Sequence, residues 1–188
     1  MQHHRCWRAC TATLVAGACF PAFSQTARLA DDAQWHVSLG GFSSHARETL
    51  APGRQWQEVH PGLGLQRRIN GLPWNTAAAD KLWKSRFIFG TLEDSRGFLG
   101  SYGGLSVMRE LAHSGAWRLE GGASMTMHYR SASWNGRMHF VPVILPTLSL
   151  AEYRSGFGMD LSWVPPVAMG SAGGVSTLLL QLSYRVEQ

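Results

Sequence analysis

The chain has 188 residues, 45% of them hydrophobic, and carries 17 Lys plus Arg against 12 Asp plus Glu. That length suits one domain with its own core and leaves too little for two. The basic excess is mild and comes with no basic run or aromatic RNA-binding signature, so nucleic acid is not an expected partner.

Residues 1–24, "MQHHRCWRACTATLVAGACFPAFS", place Arg5 and Arg8 ahead of an apolar run over 12–20 and end in small residues. This is the layout of a secretory signal peptide, with an apolar run too short to span a bilayer, and it predicts an exported domain over 25–188. Cys19 in "VAGAC" is an alternative lipoprotein acceptor, although Ala16 stands where such sites want Leu. The 3 cysteines, Cys6, Cys10 and Cys19, all lie in the leader, so no disulfide is expected to hold the exported domain. Beyond the leader 15 cations remain, 13 of them Arg, against the same 12 carboxylates, for a net charge of +3. Arg suits bidentate contact with phosphate, and lipid headgroups are the natural anionic partner of an exported chain.

After the leader no stretch approaches the roughly 18 apolar residues of a transmembrane helix. The dominant period is two. Eight strands are predicted in chain order, over 35–47, 58–69, 82–91, 98–111, 116–129, 138–151, 156–164 and 176–186. The fifth is the clearest: Trp117, Leu119, Ala123, Met125, Met127 and Tyr129 alternate with Arg118, Glu120, Ser124, Thr126 and His128. Strands of this length with one apolar face match a hydrocarbon layer when tilted, and eight of them close the smallest transmembrane barrel. The expected fold is therefore all-β, an eight-stranded antiparallel transmembrane β-barrel with a short N-terminal segment that could be helical. Trp35, Trp56, Trp83, Trp117, Trp134 and Trp163 fall near strand ends, where interfacial girdles belong, although each could equally pack a core.

The sixth strand breaks the alternation. "HFVPVILPTLSL" is apolar on both parities and contains Pro142 and Pro146, which a strand tolerates only where ladder hydrogen bonds are missing. An apolar inner face there leaves two readings open: a dry lumen able to hold an acyl chain, or a barrel plugged by its own side chains.

Metal chemistry finds little support, since no HExxH, CxxC or calcium loop occurs and the histidines are scattered. The hydroxyl, imidazole and carboxylate set that remains is His45 in "SSHAR" with Asp94 and Ser95 in "TLEDSRGF". A hydroxyl needs a positioned base, and the base an orienting group. With a periplasmic N-terminus, the end of strand one and the turn between strands three and four share the outer rim. The plainer readings are a turn for Asp94-Ser95 and an interface residue for His45.

The ordered set "HAR" at 45–47, "PGLGLQR" at 61–67, "LEDS" at 92–95, "SYGG" at 101–104, "FVPVILPTLSL" at 140–150 and "LSWVPP" at 161–166 resembles the lipid A palmitoyltransferases, the PagP-like outer-membrane enzymes. The resemblance covers residues 35–186. It implies a monomeric barrel in the Gram-negative outer membrane with an apolar acyl pocket in its outer half. It further implies transfer of palmitate from the sn-1 position of a glycerophospholipid to a hydroxyacyl chain of lipid A, with no cofactor because the donor ester is already activated. By motif match the catalytic residues are His45, Asp94 and Ser95. Gly103 falls at the pocket floor that gauges chain length, while Pro146 and Pro165 flank a lateral route for lipid. Gly40 stands where the family has another ladder-breaking proline, and only residues 25–34 are available for the family's N-terminal amphipathic helix. The rival expectations are a lipid A deacylase on the same barrel and a non-enzymatic small barrel.

Overall fold

A computed structural model describes residues 33–46, 55–74, 82–131, 136–166 and 176–186. The expected leader, the segment over 25–32 and Trp134 lie outside the described residues. Eight strands follow in order: β1 (Gln34–His45), β2 (Val59–Asn70), β3 (Trp83–Glu93), β4 (Leu99–Ser114), β5 (Trp117–Ser131), β6 (Met138–Glu152), β7 (Phe157–Val164) and β8 (Thr177–Val186). Each pairs antiparallel with its sequence neighbour, and β1 pairs with β8 to close the barrel. The β4–β5 hairpin is tighter than the predicted turn over 112–116. Ser114 still pairs with Trp117, and Gly115, with φ of 59°, supplies the left-handed residue that a two-residue connection requires.

The barrel is inverted relative to a water-soluble one. Leu63, Phe87, Phe89, Met125, Ile144 and Leu148 point outward and are exposed, whereas Ser38, Gln66, Arg86, Glu120, Ser149 and Asp160 point inward and are buried. An exposed apolar belt around a closed barrel is the surface a hydrocarbon solvent requires, because the ladders pair the strand N–H and C=O groups over most of the circumference. On that surface the girdle is braced by cross-strand pairs. Arg67 lies over Trp35 and Arg109 over Trp83, each at 5.7 Å from the ring centre and each directly opposite its Trp in the ladder.

β6 resolves the ambiguity of its own pattern. Val141, Val143 and Leu145 face inward and pack with Val164, while Phe140, Pro142, Ile144 and Pro146 face outward. The inner face turns polar at Thr147 and Ser149. The lumen is thus both things the sequence left open, apolar over one half and plugged over the other. In the plugged half Arg86 is ion-paired with Glu120 and, at 2.8 Å, with Asp160. Lys84 also pairs with Glu120, and Gln66 donates to Ser38 and Asp160. A belt of hydroxyls runs across four strands between the halves, from Ser106 to Ser124 (2.7 Å), to Thr147 (3.4 Å) and to Ser162 (3.0 Å).

Two irregularities shape the other half. Both ladders of β1 slip between Leu39 and Gly41. The inward residues are even-numbered before the slip, His36 and Ser38, and odd-numbered after it, Ser43 and His45. A bulge inserts one residue and so reverses the facing of everything beyond it. The other irregularity lies between β6 and β7. Their ladder spans only the pairs from Thr147↔Ser162 to Ala151↔Gly158, although β6 continues to Met138 and β7 to Val164. The β5–β6 ladder runs unbroken through Pro142 and Pro146, so the donors these prolines lack belong to the side facing β7.

Candidate active site at the barrel rim

The bulge brings His45 to the lumen mouth, where its Nε2 lies 2.9 Å from Ser95 Oγ. Ser95 stands in the turn between β3 and β4. That turn is built by Asp94, whose Oδ1 accepts the N–H groups of Arg96 (2.9 Å) and Phe98 (3.0 Å). Its backbone closes the loop by accepting from Gly97 N and donating to Phe98 O, with Gly97 at φ 81°. The segment before β2 fastens the turn from outside, Gln57 N donating to Ser95 O at 2.9 Å.

The set His45, Asp94 and Ser95 is therefore gathered at one rim, but its internal wiring is particular. The hydrogen bond joins His45 directly to Ser95. Asp94 bonds to its own turn rather than to His45; its Oδ2 and the His45 Nδ1 are both buried and carry no hydrogen bond. His45 is instead oriented by stacking on Trp56, ring centres 4.8 Å apart and planes 9° apart, with the Arg96 guanidinium also against Trp56 at 5.4 Å. Trp56 is thus a support of this site and not a girdle residue. Alternation could not locate it, because it precedes β2 in an irregular segment.

A second pair lies beside the first. His60 Nδ1 is 2.9 Å from the Glu93 carbonyl, and its Nε2 is 2.6 Å from Ser43 Oγ. Sequence reading had no handle on it, since His60 and Ser43 are 17 residues apart on different strands. The bulge that turns His45 inward turns Ser43 inward as well.

Below the rim Leu92, Val141, Val143, Leu145, Val164 and Leu179 line the lumen, and with the open mouth the space comes to about 1220 Å³. Pro165 lines it next to the point where β6 and β7 part, and Pro146 is the first β6 residue beyond the last β6–β7 pair. Gly103 is not at the floor. It belongs to the outward parity of β4, opposite the exposed Phe89, whereas Tyr102, Ser106 and Met108 point inward. The floor position is taken by Tyr102. Its hydroxyl fills the space that a Cβ on Gly64 or Gly90 would need, it bonds to Gln181, and its ring stacks on His128 at 5.8 Å. "SYGG" carries a glycine on each parity, so its facing was not legible from the sequence.

Among the described residues no group of His, Cys, Asp and Glu is arranged to hold a metal ion. The chemistry available is that of a hydroxyl next to an imidazole at the mouth of an apolar chamber.

No family model matches the chain, and no curated protein matches it in sequence. Among solved structures it is similar to the Yersinia pestis outer membrane protein Ail in a phospholipid bilayer nanodisc. That match has 15% identity and a TM-score of 0.38, and covers 82% of this chain and 100% of that one. The Yersinia pestis Ail in complex with the heparin analogue sucrose octasulfate is similar at 15% identity and a TM-score of 0.35, with 82% and 97% covered. At these values neither likeness bears on what this chain does.

Proposed function

We propose that the chain is an outer-membrane acyltransferase, of the lipid A palmitoyltransferase kind, with glycerophospholipid as donor and the hydroxyacyl chain of lipid A as acceptor. The observation that carries this reading is the 2.9 Å contact between His45 Nε2 and Ser95 Oγ above an apolar chamber. The chamber wall is unladdered between β6 and β7, the side on which an acyl chain could enter from the bilayer. In this scheme the donor's acyl tail lies along Val141, Val143 and Leu145, which sets its ester near the rim. His45 Nε2 takes a hydroxyl proton as the oxygen attacks the ester carbonyl, then returns it to the departing glycerol oxygen. One ester is broken and one formed, so no cofactor is consumed. Asp94 fixes the turn that presents Ser95, through its bonds to the N–H groups of Arg96 and Phe98.

The test is lipid A from cells producing the protein, analysed by mass spectrometry. Wild type should add one palmitate and His45→Ala should add none, while the variant still folds to a heat-modifiable barrel. Full activity in His45→Ala would refute the assignment, and loss of acyl chains would identify a deacylase.

The Arg86 plug favours a second reading, a non-enzymatic barrel whose lumen is simply filled. Unchanged lipid A in wild-type-producing cells would favour that reading.

A further inference from the structure

The rim holds a second nucleophile–base pair that is more completely wired than the first. His60 Nδ1 faces the Glu93 carbonyl, which can only accept, so this nitrogen carries the proton. Nε2 is then the bare lone pair, and the 2.6 Å contact is a hydrogen bond donated by Ser43 Oγ to it. Nucleophile, base and orienter are all present, with the tautomer fixed by backbone. His45, by contrast, has no orienting bond on Nδ1. Ser43 and His60 line the same chamber as His45 and Ser95.

We infer that Ser43, with His60 as its base, is an acyl-accepting nucleophile of this rim and forms a covalent acyl-serine intermediate. The inference rests on the acyl-transfer reading for its substrate, an apolar-tailed ester, and on the geometry alone for its nucleophile. The Ser43 proton passes to His60 Nε2 as Oγ attacks the ester carbonyl carbon. The tetrahedral centre collapses with cleavage of the bond to the donor's oxygen, which takes the proton from Nε2. An acceptor hydroxyl then gives its proton to Nε2 and attacks the acyl carbon, and Ser43 Oγ leaves and is reprotonated. Donor ester and acceptor hydroxyl balance product ester and freed alcohol.

The experiment treats the purified full-length barrel in detergent with a long-chain alkyl fluorophosphonate, followed by intact mass and peptide mapping. The adduct should map to Ser43, persist in Ser95→Ala and vanish in Ser43→Ala. In His60→Gln its rate of formation should fall about a hundredfold or more, the scale of lost general-base help. Barrel folding is checked by heat modifiability. As a second readout Ser43→Cys, given p-nitrophenyl palmitate, should accumulate a hydroxylamine-labile thioester. An adduct on Ser95 alone, or no adduct on a folded barrel, overturns the inference. The two readings fail separately. An adduct on Ser43 with unchanged lipid A would defeat only the acceptor, while palmitoylated lipid A with a fully active Ser43→Ala would defeat only the second pair.

Discussion

Gly40 lies so close against the backbone carbonyl of His60 that a side chain at this position would collide with it. This contact sits inside the β1 bulge, and the bulge is what turns both Ser43 and His45 into the lumen. Gly40→Val should therefore either unfold this edge or remove the bulge and send His45 into the lipid. Lipid A acylation should drop at least about a hundredfold, the scale of a lost general base, while the heat-modifiable barrel survives. An active Gly40→Val enzyme would mean that the bulge does not set the facing of His45.

Tyr102 makes a separate claim on specificity. Its ring leans over its ladder partner Gly90 and over Gly64, and its hydroxyl bonds to Gln181 of β8 on the far side, so it caps the apolar chamber above the hydroxyl belt. Tyr102→Ala should deepen the chamber and lengthen the acyl chain transferred, read from the acyl profile of lipid A. Replacement of the outward-facing Gly103 by Ala should leave that profile unchanged. The opposite pattern would restore Gly103 as the gauge.

The β6–β7 gap can be closed on purpose. Continuing the register past Thr147↔Ser162 would set Leu145 opposite Val164, and these side chains already pack together. A disulfide between Leu145→Cys and Val164→Cys should block acyl transfer when oxidised and restore it on reduction. Full activity in the oxidised form would rule this gap out as the lipid entrance.

Stability should depend on the plug. Glu120 is 1% exposed and pairs with both Lys84 and Arg86, so Glu120→Ala removes one of the two carboxylates paired with the buried Arg86 and the nearer of the two paired with Lys84. A cost of about 3–5 kcal/mol in urea unfolding is expected, and replacing Arg86, Glu120 and Asp160 together by apolar residues should cost less than Glu120→Ala alone. Equal costs would show that the pairing is not what holds this half together.

Strand number and order were legible because period-two alternation is a one-dimensional signal, and each observed strand starts within a residue of its predicted position. His45, Asp94 and Ser95 could be placed at a common rim by counting alone. What the chain did not disclose was facing. "SLGGFSSH" offers two glycines and three serines with no apolar phase, so the parity reversal that selects Ser43 and His45 depends on where β2 and β8 hold the strand. Gly103 was misplaced for the same reason. His60 was one of several scattered histidines until folding set it against Glu93 and Ser43.

The Arg86 plug has a further consequence if the barrel sits in the outer membrane, as proposed above. Among the described residues paired ions fill the bore below the chamber, which makes the barrel a blind cup rather than an open pore. Under the acyl-transfer reading, substrate would enter and leave on a single side of that plug.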